Sequence, residues 1–239
     1  MSACEQDIGC IQKGPLHIDV EGTRAAYERF HRNWQDHVTQ EADAIRRHSP
    51  SVLLSDISYL AIEAGARHFT HLFNAMPPLH HREPGAIGAA LADDRCTVEL
   101  IADGVHLHHA MLHVVGAQLH DRALLVTDAM RACGMPDGTY SLYQHQVTVR
   151  DGEARLADGA LAGSVLTMGQ ALRNMVELAA LPIETALPLA TTIPARLLGV
   201  GDSKGRIATG YDADLVVLSP RLEIERVIVR GHEVRPRNS

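Results

Sequence analysis

Several things are missing from this 239-residue chain, and each omission removes a class of function. No apolar run approaches the ~20 residues needed to span a bilayer, so no membrane partner is expected. The N-terminus, with Glu5 and Asp7, lacks the basic-then-apolar order of an export signal, and an unexported protein is expected. Its four cysteines (Cys4, Cys10, Cys96, Cys133) stand far apart, forming neither a paired zinc motif nor a disulfide framework; a reducing cytoplasm fits them best. Basic charge is also short: a net charge of -7, with Lys and Arg scattered, gives no stripe to follow a phosphodiester backbone, which argues against nucleic acid.

What is present is a 46% hydrophobic content, enough for a substantial core, and 15 histidines, more than packing alone calls for. The histidine surplus points to metal or acid/base chemistry without saying which residues perform it.

Along the chain the periodicity changes. From Glu21 to Arg47 the spacing of Ala25, Tyr27, Phe30, Trp34, Val38, Ala42 and Ile45 predicts a long amphipathic helix. A short strand over 51–55 and a helix over 58–64 follow. Beyond Gly65, short apolar runs at 67–71, 97–102 and 123–127 each end in polar residues, with helical stretches at 86–91 and 109–119 between them. Such alternation predicts parallel βα units, whose chemistry collects where strands end. A hairpin over 134–155, helices over 168–179 and 183–198, and a small β region from Gly205 onward, with strands at Ile207, 215–218 and 227–229, complete the pattern.

The candidate site residues lie at those strand ends. His71, in Thr70-His71-Leu72-Phe73-Asn74-Ala75-Met76, can ligate a metal or serve structurally, and the turn after it can offer amides to an anion. Arg82 stands in a proline-stiffened turn whose guanidinium suits a phosphate or a surface acid. Asp103 and His106 end the second run and face one rim; His108, His109 and His113 read as solvent-facing helix residues. Asp128 terminates the third run, where a general base or a helix N-cap would both explain a carboxylate. The turn Leu161 to Ser164 brings backbone close to a ligand or caps the next helix.

Taken in order, THLFNAM (70–76), REPG (82–85), IADGVH (101–106), LVTDA (125–129), LAGS (161–164), ATTIPARLLG (190–199) and GRIATGYDADLVVL (205–218) closely resemble the C-terminal part of N-acetylglucosamine-6-phosphate deacetylases, over about Gly65 to Val234. The resemblance implies an α/β fold: the last strands of a (β/α)8 TIM barrel over 65–199, and a small β-sandwich remnant over 200–239. It implies removal of acetate from N-acetylglucosamine-6-phosphate with a divalent metal, zinc or iron. By position His71 matches a metal ligand and Asp128 the acid/base. Asn74, Ala75, Arg82, His106, Ala162, Gly163 and Ser164 match sugar-phosphate contacts. The arginine can act across a subunit interface in this family, so a homodimer is expected.

The family's earlier metal-binding motifs have no recognisable counterpart, and the metal site is expected to be incomplete. Residues 1–64 instead resemble the interior of a glycosyltransferase-like protein, as in a fusion or rearranged gene product. A whole barrel needs eight strands and roughly 250 residues. The two readings are therefore a deacetylase of doubtful independent activity, and a non-catalytic phosphosugar-binding or assembly fragment of one.

Overall fold

The computed structural model describes residues 53–142 and 144–234. The helix expected over Glu21–Arg47 lies outside them. The chain divides between Ala64 and Gly65. On the N-terminal side is helix α1, Leu53–Glu63, where a strand over 51–55 followed by a separate helix was expected. A short apolar run carries no period of its own, and this one is absorbed into the first turn of the helix behind it.

Past Gly65 the expected βα alternation is present. Strands β1 (His68–Phe69), β2 (Thr97–Ile101) and β3 (Ala123–Val126) form a parallel sheet in the order β1-β2-β3. His68 lies opposite Thr97, and Val98 opposite Ala123. Helices α2 (Gly85–Ala92) and α3 (His109–Gln118) are the crossovers. Parallel neighbours require such returns, and the sheet is consequently buried from both sides. Val98, Leu100 and Ile101 are fully buried in one core with Ile87, Leu112 and Met175. Arg122 is also buried. Its guanidinium donates to the carbonyls of Ala90, Leu91 and Cys96 at 2.8, 2.7 and 2.9 Å, two of them in the last turn of α2, so one cation closes that helix where its carbonyls lack partners.

The hairpin region is a three-stranded antiparallel sheet of β4 (Gly138–Leu142), β5 (His145–Arg150) and β6 (Glu153–Arg155). Asp151 and Gly152 make the β5–β6 turn with φ of 52° and 82°, the double left-handed geometry that matches strand twist. Val147, Val149 and Ala154 pack on Met130, Ala132 and Ala162 as a second, smaller core.

Helix α4 runs from Met168 to Glu177. The single helix expected over 183–198 is two, α5 (Ile183–Ala190) and α6 (Thr192–Leu197), separated at Thr191 with φ -132° and ψ -81°. Pro194 has no N–H for the Ala190 carbonyl, so a continuous ladder fails there. Ile207 lies in irregular chain rather than in a strand. Strands β7 (Leu215–Leu218), β8 (Ile224–Val229) and β9 (His232–Val234) then form an antiparallel meander. Among the described residues no helix is long and apolar enough to cross a membrane.

Candidate functional site

Because β1, β2 and β3 are parallel, their C-terminal ends open on one edge of the sheet, and the candidate residues follow those ends. The backbone there is strained. His71, Phe73, Ala75 and Asp128 all have positive φ, at 35°, 75°, 55° and 47°, a region that residues with a Cβ rarely enter. Among the described residues, half of the non-glycine residues of this kind fall in one seven-residue motif and at the end of β3. Such strain costs on the order of 1–3 kcal/mol per residue and persists where surrounding bonds enforce it.

Those bonds are identifiable. After β1 the amide of Leu72 donates to the Glu99 carbonyl at 2.9 Å, and that of Asn74 to the His71 carbonyl at 2.9 Å. The Asn74 side-chain amide donates to the Leu72 carbonyl at 3.2 Å. His71 Nδ1 lies 3.1 Å from the Asn74 carbonyl. A carbonyl can only accept, so Nδ1 carries the proton and Nε2 presents its lone pair, the tautomer a metal ligand needs.

Beneath the loop, the Glu99 carboxylate accepts from the His71 amide at 3.3 Å and meets His68 Nε2 at 2.9 Å. His68 Nδ1 in turn sits 2.7 Å from the Thr97 hydroxyl. Neither His68 nor Glu99 belonged to the candidate set. One signal was available, a carboxylate in the middle of an apolar strand, which is costly to bury without a partner. That the partner is His68 depends on the β1–β2 register.

At the end of β2, Asp103 accepts from the amides of Val105 and His106 at 2.9 and 2.8 Å and from His106 Nδ1 at 2.6 Å. Burial pushes the Asp103 carboxyl upward, but the His106 ring and the two amides more than offset it, and it ends below its ordinary value. An ionised Asp103 fixes the ring and leaves His106 Nε2 for a ligand. Behind it, the buried Asn174 side chain donates to the Ala102 carbonyl at 2.8 Å, tying α4 to the strand end. His108 caps α3, with its ring accepting from the Ala110 amide, and His113 contacts the Ala179 carbonyl at 2.7 Å rather than only solvent.

At the end of β3, no helix begins at Asp128, which removes the N-cap explanation; Thr167 is the cap of α4, which removes it for the 161–164 turn as well. That turn closes instead on Asp128. The Ser164 amide donates to the Asp128 carbonyl at 2.8 Å, and the Met130 amide returns to the Ser164 carbonyl at 2.8 Å. The Ser164 hydroxyl donates to the Thr127 carbonyl. Gly163, at φ +67°, leaves no room for a side chain: a Cβ would sit 2.9 Å from the Asp128 carbonyl oxygen. Ala162 is buried beside this turn, and Asp128 itself is exposed.

Thus His71 is joined to Asn74, and Asp128 to Ser164 with Gly163 close beside it; His106 stands between these two groups in strand order. Ala75 is exposed at the strained turn. Arg82 lies on an exposed loop, donating to His81 Nε2 at 2.7 Å, with no bond to the other candidates among the described residues. A hollow of about 810 Å³ occurs elsewhere, between α4–α6 and β7–β8.

The amidohydrolase family profile matches residues 54–234. The chain is similar to an N-acetylglucosamine-6-phosphate deacetylase of Bacillus subtilis, 45% identical over 183 residues, covering 76% of this chain and 45% of that protein. A relative from Escherichia coli K12, provisionally named an N-acetylgalactosamine-6-phosphate deacetylase, is 44% identical over 161 residues, covering 67% of this chain and 96% of the relative. Among solved structures, the N-acetyl-D-glucosamine-6-phosphate deacetylase of Mycobacterium smegmatis superposes with a TM-score of 0.70 at 42% identity, over 76% of this chain and 49% of the other. The fold is therefore TIM-barrel-like α/β. The chain spans about half the length of its full-size relatives.

Enzymes of this family typically use a divalent metal. The donors here do not fit one: among the described residues, no three of His, Cys, Asp and Glu come together around a cation position. A catalytic zinc ordinarily takes three protein ligands and leaves one place for water; among the described residues His71 Nε2 is not joined by two further donors in one cluster.

Proposed function

This chain belongs to the amidohydrolase family, and from that premise we propose that it carries the phosphosugar-binding and acid/base half of an N-acetylglucosamine-6-phosphate deacetylase. The observation that most supports this reading is the strained backbone at His71, Phe73, Ala75 and Asp128, which holds two reactive side chains at the rim of a parallel sheet. In this reading Asp128 takes a proton from the water that attacks the acetyl carbonyl and returns it to the leaving amine. One C–N bond breaks, one C–O bond forms, and the products are acetate and glucosamine-6-phosphate. His106, oriented by Asp103, and Asn74 hold the sugar; backbone at Ala75 and at Ala162 to Ser164 faces it. Arg82 holds the phosphate, in the manner of an arginine reaching into a second copy's site, so a homodimer belongs to the reading. The last barrel strands over 65–199 and a sandwich remnant over 200–239 are its architecture.

The lack of a three-donor cluster among the described residues favours a second reading for the chain in isolation: binding of the phosphosugar without turnover. Calorimetry with N-acetylglucosamine-6-phosphate, its galactosamine epimer and inorganic phosphate tests both readings. Arg82→Ala is expected to weaken binding about tenfold, because loss of a charge-assisted hydrogen bond costs roughly 1.5–3 kcal/mol. Equal affinity of mutant and wild type removes Arg82 from the site. Acetate release with added zinc or iron is expected to be negligible for the isolated chain. If release does occur, Asp128→Asn must abolish it, or the acid/base assignment fails.

A further inference from the structure

We propose that Glu99 is a positioning residue for the phosphosugar site: its carbonyl and its carboxylate together clamp the left-handed turn over 71–75, and His68 fixes the carboxylate in place. This rests on the deacetylase reading above, in which Asn74 and the backbone at Ala75 meet the sugar.

The turn does not hold itself to the sheet. His71, Phe73 and Ala75 have φ of 35°, 75° and 55°, and none is glycine. A chain with Cβ atoms leaves such angles unless neighbouring groups enforce them. Bonds within the turn run from the Asn74 amide to the His71 carbonyl, from the Asn74 side chain to the Leu72 carbonyl, and between His71 Nδ1 and the Asn74 carbonyl. They close the turn on itself without anchoring it. Among the described residues, the hydrogen bonds that reach 71–75 from outside both end on Glu99. The Leu72 amide donates to its carbonyl at 2.9 Å, and the His71 amide to its Oε2 at 3.3 Å. The buried Leu72 side chain adds an apolar anchor, but apolar contact is non-directional and does not set the backbone angles.

Consecutive amides in such a turn form a concavity that suits an anion. The sequence points to an anion after His71, and at residues 71 and 72 the acceptor is the chain's own Glu99. Ala75 is exposed, and its amide has no acceptor among the described residues, so that amide remains for a ligand oxygen.

A carboxylate free to swing on its side chain clamps nothing. His68 prevents the swing: its Nε2 lies 2.9 Å from the other carboxylate oxygen, Oε1, and its Nδ1 lies 2.7 Å from the Thr97 hydroxyl. That hydroxyl donates to the Arg67 carbonyl at 3.1 Å. The ring is thus held at both nitrogens, and it holds the carboxylate in turn. The side chains of His68 and Glu99 are 27% and 20% exposed, so water screens this pair less than it does an ion pair on the surface. A carboxylate that only needed a partner has one in His68. Its second oxygen meets instead the first left-handed residue of the turn, which is the contact a clamp requires.

Amide exchange and calorimetry on the full 239-residue chain test this. Glu99→Ala keeps the main-chain carbonyl and removes the carboxylate. Exchange of the His71 and Asn74 amides should quicken about tenfold, with the amides of β3 unchanged as the control for global loosening. Affinity for N-acetylglucosamine-6-phosphate should fall about tenfold, while affinity for inorganic phosphate, which engages Arg82 in this reading, stays the same. Glu99→Gln still offers an oxygen to the His71 amide and a polar group to the His68 ring, so it should restore both quantities to within about threefold of wild type. His68→Ala should quicken exchange about threefold by itself and add nothing to Glu99→Ala, because it acts through the carboxylate. Unchanged exchange at His71 and Asn74 in Glu99→Ala overturns the clamp, as do additive effects of the two alanine variants. Faster exchange throughout β3, with equal loss of phosphosugar and phosphate affinity, makes Glu99 a residue of general stability and overturns it too. If Glu99→Ala does not fold, His68→Ala leaves β2 intact, and unchanged exchange in that variant overturns the proposal. A wild type that binds neither ligand removes the deacetylase reading, and exchange alone then decides the clamp. Refutation by exchange in a chain that binds the phosphosugar leaves that reading intact.

Discussion

The sheets β1–β3 and β7–β9 each have three strands, and their surroundings differ as much as two sheets in one protein can. Val98, Leu100, Ile101 and Ala123 of the first are fully buried beneath crossover helices, whereas no residue of the second is buried at all. Composition does not separate them, since LVVL in β7 is as apolar as ALLV in β3. The difference lies in connection. Parallel strands cannot be joined without a returning segment, so the chain that builds the sheet also covers it. An antiparallel meander is closed by tight turns, which make strands without providing anything to lie on them. The first sheet therefore brings its own core, and the second leaves its apolar residues exposed.

Truncation of a core side chain should break this contrast most visibly. Leu100→Ala in β2 is expected to cost ~2–5 kcal/mol in urea unfolding of the isolated chain, the range for emptying a fully buried leucine site. A cost under about 1 kcal/mol would mean that the parallel sheet is no better packed than the meander.

Next in size is Asp103, where the same sheet turns from packing to chemistry. Asp103→Ala leaves the His106 ring and two amides without their acceptor, an expected loss of ~1.5–3 kcal/mol at neutral pH. Its folded-state carboxyl lies below the ordinary value, so the contribution is complete above the unfolded carboxylate range near pH ~3.9 and disappears as pH falls through the lower folded value. The gap between wild type and variant should accordingly hold from pH 7 to about 5 and narrow in stronger acid. A gap that fails to narrow in strong acid contradicts an ionised Asp103 as the acceptor of these bonds.

Much of the first sheet was legible in the sequence because its strands are apolar runs ending in Asp or His and its crossovers have clear helical spacing. The runs over 97–102 and 123–127 became β2 and β3 with ends moved by a residue. Where local pattern and tertiary geometry part company, the reading faltered. The β1 run shortens to His68–Phe69 because the chain turns left-handed at His71, and α5 and α6 separate because of a missing N–H at Pro194. In the site, motif order drew attention to His71, Asp128 and the 162–164 turn, but not to the bond from Ser164 to the Asp128 carbonyl. The support of the His71 loop by Glu99 and His68 also escaped, since both contacts depend on which residues face each other across strands.

Gly163 sharpens the comparison at the point where the first sheet meets the catalytic candidate. Gly163→Ala adds a Cβ at 2.9 Å from the Asp128 carbonyl oxygen at a φ of +67°, so relief requires the turn or the aspartate to move. About 1–2 kcal/mol of stability should be lost, more than the ordinary glycine-to-alanine effect at a relaxed position. Phosphosugar affinity should fall with it if the turn faces the sugar. A variant as stable as wild type would show that the turn is looser than its bonds imply.

The smallest effect is expected where the second sheet is most apolar. Val216→Thr in β7 replaces a methyl by a hydroxyl on a side chain that is 55% exposed, and both residues are β-branched, so strand propensity is kept. In the isolated chain the change should stay within about 0.5 kcal/mol, as surface substitutions do. At a buried valine the same replacement would place a hydroxyl without a partner in an apolar layer, at roughly 1–3 kcal/mol. The measurement therefore reports directly on what covers β7: urea unfolding that separates the two proteins by more than about 1 kcal/mol would mean that the meander is already packed in solution, whether by another copy or by another part of the chain.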